Sequence, residues 1–144
     1  MSRTLVPAEV ARWVLNLNPE QLQERVDNGH LLWVFDVKVS GRRAELRFWE
    51  RELREAAQVC HLRPDQAVHS ILGLETRKRF RGSELCALLD ISKQHLQRLH
   101  QSRELTGEII SHTRWIQRSS VEAFLHRRLT TATTSHFSAG ERER

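Results

Sequence analysis

Hydrophobic positions along this chain fall into short groups with two different spacings. Leu85, Leu88 and Leu89 recur at i, i+3 and i+4, which lays one apolar stripe along a helix. Asp90 follows where that helix must stop, and aspartate tolerates left-handed backbone better than most residues. Ile91 is a candidate buried pivot and Ser92 a candidate N-cap for a second helix. That helix, Lys93 to His100, turns Leu96 and Leu99 inward and leaves Lys93, Gln94, His95, Gln97 and Arg98 on its other face. Two short helices joined by a three-residue turn, with one polar and basic face, form the helix-turn-helix pattern. Ile109-Ile110 and Trp115-Ile116 then predict a short hairpin turning near His112-Thr113. Ser119 or Ser120 caps a last helix with Val121, Phe124, Leu125 and Leu129 on its inner side.

The first half carries the same kinds of signal. Val10, Trp13 and Val14 mark a first helix. Asn18-Pro19 opens a second one as an N-cap followed by proline at the first helical position. Leu22 and Val26 face inward, and Gly29 ends it. Trp33, Phe35, Val37 and Val39 then alternate with Val34, Asp36 and Lys38, Ser40-Gly41 turns the chain, and Ala44, Leu46 and Phe48 return. This is the period-2 signature of a hairpin. Trp49 to Ala57 reads as a closing helix, and Trp13, Trp33, Phe35 and Trp49 read as core.

Residues 8–56 and 80–129 therefore share one order: helix, turn, helix, hairpin, helix. Glu9-Val10-Ala11 aligns with Glu84-Leu85-Cys86, Leu22 with Leu96, Leu31 with Leu105, Phe48 with Ile116 and Leu53 with Val121. The offset runs from 75 through 74 to 68, which places a longer turn and a longer hairpin in the first copy. The expected fold is mainly α with small β wings, an α+β chain built as a tandem of winged helix-turn-helix units. The first unit spans 1–57 and the second, DNA-binding one 80–129. Between them, 58–79 forms a linker with a short helix from Pro64 to Leu72 stopped by Gly73. Residues 130–144 are polar and read as a flexible tail.

Charge sharpens the picture. Residues 1–58 hold nine basic and nine acidic side chains, whereas 59–144 hold fourteen and nine, so the whole net charge of +5 lies in the second half. A localised basic surface attracts polyanions, although a solvated surface without a partner carries the same signature. Cys60 and Cys86 make no CxxC spacing, which argues against a disulfide framework or a zinc site and fits a reducing cytoplasm. No apolar run approaches the ~20 residues of a membrane span, and the N-terminus lacks a secretory apolar stretch. No Gly-rich phosphate loop, Ser-His-Asp set or carboxylate pair stands out. Cys60-His61 with His69 is the nearest approach to a metal pattern, and chance accounts for it. The expectation is a protein without enzymatic activity, cofactor or metal, cytoplasmic and nucleoid-associated.

The stretch from Arg81 to Leu125 resembles the excisionase family of small winged helix-turn-helix proteins, related to the DNA-binding head of mercury-resistance-type regulators. The likeness lies in Ser83-Glu84-Leu85-Cys86-Ala87-Leu88-Leu89-Asp90-Ile91-Ser92, the core positions Leu96 and Leu99, Glu104-Leu105 before the wing, Arg114-Trp115-Ile116, and Val121-Glu122-Ala123-Phe124-Leu125. Asp90 departs from the usual pattern, where glycine is common. The resemblance implies double-stranded DNA as partner more firmly than any particular task. Its members include regulators of phages, plasmids and other mobile elements, recombination directionality factors and DNA-packaging subunits.

Candidate contacts follow from charge and placement. Ser92, Lys93, Gln94, His95, Gln97 and Arg98 occupy the second helix of the basic unit, where glutamines can read base edges and cations meet phosphates. Arg77, Lys78, Arg79 and Arg81 cluster just before that unit, and Arg114 lies on its hairpin. Arg42 and Arg43 sit at the tip of the first hairpin. The equivalent helix of the first unit carries Glu20, Glu24 and Asp27 against Arg25, a face that repels phosphate and suits support of the fold or contact with another protein. Such a protein would be a recombinase, terminase or polymerase subunit, or part of the transcription machinery. Two half-sites would be served by a homodimer or by one tandem chain.

Overall fold

The computed structural model describes residues 4–73 and 77–130, and the expected tail from residue 131 onward lies outside them. The chain is mixed α+β. In order along it stand β1 (Leu5–Pro7), α1 (Ala8–Leu15), α2 (Pro19–Asp27), β2 (Val34–Asp36), β3 (Leu46–Trp49), α3 (Glu50–Val59), α4 (Pro64–Leu72), β4 (Arg79–Arg81), α5 (Gly82–Leu89), α6 (Lys93–Gln101), β5 (Gly107–Ile110), β6 (Thr113–Gln117) and α7 (Arg118–Arg128). The strands form two antiparallel three-stranded sheets, ordered β1-β3-β2 and β4-β6-β5. Each half thus repeats strand, two helices, two strands and a helix. The opening strand of each half is absent from the hydrophobic pattern, because three residues are too few to show a period.

Local chemistry explains the helix boundaries. Asn16 and Asp90 end α1 and α5 in left-handed conformation, with φ of 57° and 55°. Both are residue types that enter this region readily. Asn18 caps α2 by accepting from Gln21 N, while the Gln21 side chain accepts from Asn18 N, the reciprocal capping box. Ser92 caps α6 by accepting from His95 N at 3.0 Å. The last helix differs from expectation. It begins at Arg118 without a side-chain cap, and Ser120 Oγ instead accepts from Thr106 N at the entry to β5.

The repeat is tighter than the sequence alignment suggests. Ala11 corresponds to Leu85, both fully buried, so the spacing is already 74 at the first helix and Glu9 corresponds to Ser83. The inter-helix turns are equal, Asn16 to Asn18 against Asp90 to Ser92. After α2 and α6 the chain makes the same pair of bonds. His30 N and Leu31 N reach Arg25 O, and Glu104 N and Leu105 N reach Leu99 O. The extra residue of the first half is Leu32, and the rest of the length difference is the seven residues 38–44 of the β2–β3 loop, beyond the Val37–Glu45 pairing, against Ser111-His112. Val39 and Ala44 lie in that loop, outside the strands. Ser111 and His112 both have positive φ, 50° and 66°, as a two-residue type I′ hairpin turn requires. This sets the turn one residue earlier than expected. Gly107 admits no side chain, since a Cβ there would lie 1.9 Å from Trp115 O.

Leu32 has a visible consequence. It leaves two backbone N–H groups where the second half leaves one, and the Glu52 carboxylate accepts both, from Leu32 N at 2.7 Å and Trp33 N at 3.0 Å. Glu52 is buried, and desolvation outweighs these bonds and raises its pKa. The folded state therefore holds this proton more tightly than the unfolded chain. That contribution to stability is full below the ordinary carboxylate range and is lost as pH climbs through the raised value. Glu52→Gln keeps the size but turns an amide donor toward one N–H. It is expected to cost about 1–3 kcal/mol, read as a lower urea midpoint at neutral pH, and an unchanged midpoint would contradict the two-acceptor role.

The two halves share a core. The strand around β2 is not the one-sided element its alternation implies, because Trp33 to Val37 are all buried. Val34 and Phe48 face the first half's own cluster with Val6, Ala11, Leu22, Val26, Leu31 and Leu53. Trp33, Phe35, Val37, Leu5 and Trp49 face the other way, into a cluster with Phe80, Leu85, Leu99, Ile116 and Phe124. The segment read as a linker also belongs to that core, as α4 buries Ala67, Val68, Ile71 and Leu72 in it. Trp13 departs from expectation. It is 80% exposed, and its counterpart in the second half is the exposed Ala87.

Polar bonds fasten the halves. Arg47 of β3 donates from Nε to Leu89 O and from Nε and Nη2 to Asp90 O, at 2.8–3.1 Å, satisfying carbonyls at the end of α5 that the helix itself leaves open. Arg128 donates to Asp36 O at 3.0 Å and to the Glu104 carboxylate at 2.6 Å, and Ser40 also donates to Glu104. Burial by itself would raise the Glu104 pKa, but Ser40, Arg128 and Arg127 together hold it below the usual range. Thr130 N reaches Val34 O, so the chain after α7 covers the outer edge of β2. No helix among the described residues is long and apolar enough to cross a membrane.

Candidate nucleic-acid interface

The exposed face of α6 is cationic and rich in hydrogen-bond donors. Leu96 and Leu99 anchor the helix in the core, with Ile91 buried at the turn before it. This leaves Lys93, Gln94, Gln97, Arg98 and Gln101 exposed. Among the described residues neither Lys93 nor Arg98 forms a salt bridge, so both charges stand open to solvent. Ser92 is exposed as well, with its hydroxyl engaged in capping.

His95 is placed differently from its expected role. It is 9% exposed, and its Nε2 donates to Val37 O of the β2–β3 loop at 2.6 Å, with Nδ1 3.7 Å from Glu45. It therefore joins α6 to the first half instead of facing a ligand. The helical pattern alone could not show this, because the partner is a backbone carbonyl far away in sequence. His100 is half-buried and accepts at Nδ1 from Arg114 Nη1 at 2.6 Å. This bond fixes Arg114 of β6 beside the C-terminal end of α6.

The β2–β3 loop leans on α6 and on the turn after it. Asp36 Oδ1 accepts from Lys38 N and Glu45 N, both at 3.0 Å, which closes the base of the loop. His95–Val37 and Ser40–Glu104 then dock it. Arg42 and Arg43 are exposed on this loop, which those two bonds dock on α6 and on the turn after it. Gly41 between them and Ser40 has φ of 85°, conformation that favours glycine.

The basic run before α5 divides in two. Arg77 is committed within the fold, pairing with Glu84 and lying over the Phe80 ring at 4.9 Å. The Arg77 hydrogen bond is the main reason the Glu84 pKa is lowered. Lys78 is exposed, and its carbonyl accepts from Arg118 N. Arg79 and Arg81 project from β4 on the side opposite Phe80 and lie over Trp115 of β6, at 4.4 and 5.5 Å from its ring centre. Trp115 was missed as a functional candidate. Its only sequence signal is the alternation Arg79-Phe80-Arg81 set against Arg114-Trp115-Ile116, and that means nothing until the two strands are known to pair.

On the first half, α2 shows Glu20, Glu24 and Asp27 to solvent, and α1 shows Trp13. Among the described residues no group of three or more histidine, cysteine or acidic side chains is placed to hold a metal ion. Comparison of the chain with protein-family models, with curated proteins and with solved structures finds no match.

Proposed function

We propose that this chain is a sequence-specific double-stranded-DNA-binding protein, with α5 and α6 as a helix-turn-helix, the β5–β6 hairpin as its wing, and the first half as a second unit of the same winged design. The observation that carries it is the α6 face, where two unpaired cations and three glutamines stand on a helix whose other side is locked in the core. Such a helix fits a major groove with amides at base edges and cations at phosphates. The closest biological setting is a small transcriptional regulator of a mobile element. A recombination directionality factor is the close variant.

A duplex titration across salt concentrations tests the proposal. With Lys93, Arg98, Arg79, Arg81 and Lys78 as phosphate contacts, log affinity should fall linearly with log salt, with a slope of about −0.9 per phosphate neutralised. Affinity that stays flat between low and moderate salt would refute the electrostatic surface.

A second role for the first half is favoured by Trp13, a large aromatic side chain 80% exposed on α1. Exposed tryptophan is a frequent anchor of protein contacts. On this reading the first half braces the DNA-reading helix and offers its outer side to a recombinase or transcription partner.

A further inference from the structure

The two sheets expose corresponding faces to different surroundings. In the first sheet Leu5, Trp49 and Phe35 occupy the face turned away from the unit's own helix pair, and the second half covers it. In the second sheet the corresponding positions are Arg79, Gln117 and Glu108, with Arg81 and Trp115 beside them, and this face lies open. The fold therefore keeps, in the same place, an apolar surface where the second half packs and a surface open among the described residues, on which Arg79 and Arg81 outnumber Glu108.

That basic surface is ordered before any ligand arrives. Trp115 is half-buried, and the guanidinium groups of Arg79 and Arg81 lie over its ring, 4.4 and 5.5 Å from the centroid. Among the described residues neither arginine has a salt-bridge partner, whereas Arg77, two residues earlier, is tied to Glu84. A guanidinium held over an indole spends no N–H donor on that contact, and its fork of donors matches the two oxygens of a phosphate. Stacking removes rotamer freedom that binding would otherwise have to remove.

We infer that Arg79, Trp115 and Arg81, on the sheet face turned away from α5 and α6, form a preorganised clamp for the phosphodiester backbone of duplex DNA, with Trp115 as the positioning residue. The inference rests on the DNA-binding role proposed above. It adds a residue that carries no charge and makes no base contact, yet sets affinity.

The test separates position from charge with full-length chains on one duplex, titrated at several salt concentrations. Trp115→Leu should weaken binding about five- to ten-fold with the salt slope unchanged, because both cations remain. Trp115→Phe should recover most of the loss, since an aromatic face returns. Arg79→Gln with Arg81→Gln should weaken binding and reduce the magnitude of the slope by about 1.8, two phosphates at roughly 0.9 each. Arg79→Lys with Arg81→Lys should keep the slope and lose affinity, because charge stays and the flat fork goes. Thermal melts establish that each variant folds. If Trp115→Leu unfolds the sheet, the Phe and Lys variants decide in its place, and wild-type affinity in the double-Lys variant overturns the clamp. Wild-type affinity in a folded Trp115→Leu, or an unchanged slope in the double-Gln variant, overturns it as well and leaves this face for an acidic protein surface. A wild-type chain with no affinity for duplex DNA would instead refute the proposed function itself.

Discussion

A chain cut to residues 58–130 is expected not to fold as a cooperative unit, although it contains α4 and every element of the second half. Its core would lack Leu5, Trp33, Phe35, Val37 and Trp49, which all pack into the main cluster from the first half. Truncating one large buried apolar side chain costs about 2–5 kcal/mol. Losing five from one cluster costs on the order of 10–25 kcal/mol, as much as or more than the roughly 5–15 kcal/mol by which a domain is stable. The cut also removes Arg47 from the carbonyls of Leu89 and Asp90 and Val37 O from His95, which loosens both ends of the inter-helix turn. The expected result is a broad, non-cooperative melt, poor amide dispersion and binding of a hydrophobic dye. A sharp melt with dispersed amide signals would show that the second half is self-sufficient. DNA contacts are for this reason best mapped by point variants of the full chain.

The second large effect concerns α6. Gln94→Ala should weaken specific duplex binding about ten-fold or more, from a base-reading contact typically worth ~1–3 kcal/mol, and Arg98→Ala should weaken it by a similar factor through a charged contact on the same helix. Their thermal stability should stay near wild type, since both side chains are exposed. His95→Ala should behave in the opposite way. Its ring is buried against Val37, so the main loss is of stability, about 1–3 kcal/mol for an unsatisfied buried carbonyl, seen as a lower urea midpoint. Glu20→Ala and Glu24→Ala should leave binding unchanged or slightly stronger, because carboxylates near phosphates repel. Titrations of the variants against one duplex at fixed salt, with parallel unfolding curves, check all of these. If the Glu20 and Glu24 variants lose specific binding while Gln94 and Arg98 variants retain it, the reading helix is α2 and the roles of the halves are exchanged.

The N-caps of α2 and α6, the left-handed stop at Asp90, the start of α4 and the inward stripes of α2, α5 and α6 were all legible in the sequence, whereas the stripe expected on α1 wrongly included Trp13. So was the basic excess of the second half. Each depends on residues within a few positions of one another, where steric preference and short hydrogen bonds decide. The repeat was legible too, though its register was one residue off at the first helix, because Glu9 and Glu84 are surface residues whose match is accidental.

Tertiary structure decided everything that needed a distant partner. β1 and β4 become strands only through pairing with β3 and β6. Alternation along Trp33 to Val37 cannot distinguish a face open to water from a face covered by another unit, so the shared core was hidden. On α6, helical geometry places His95 beside Gln94 as one polar surface. A single carbonyl at Val37 withdraws His95 from that surface while Gln94, Gln97 and Arg98 stay outside. Trp115 reads as an ordinary hairpin aromatic until β4 brings two arginines across it. Sequence determines which local conformations are cheap and which surface is charged. The neighbours that each side chain meets come from packing over long sequence separations, and those neighbours assign the roles.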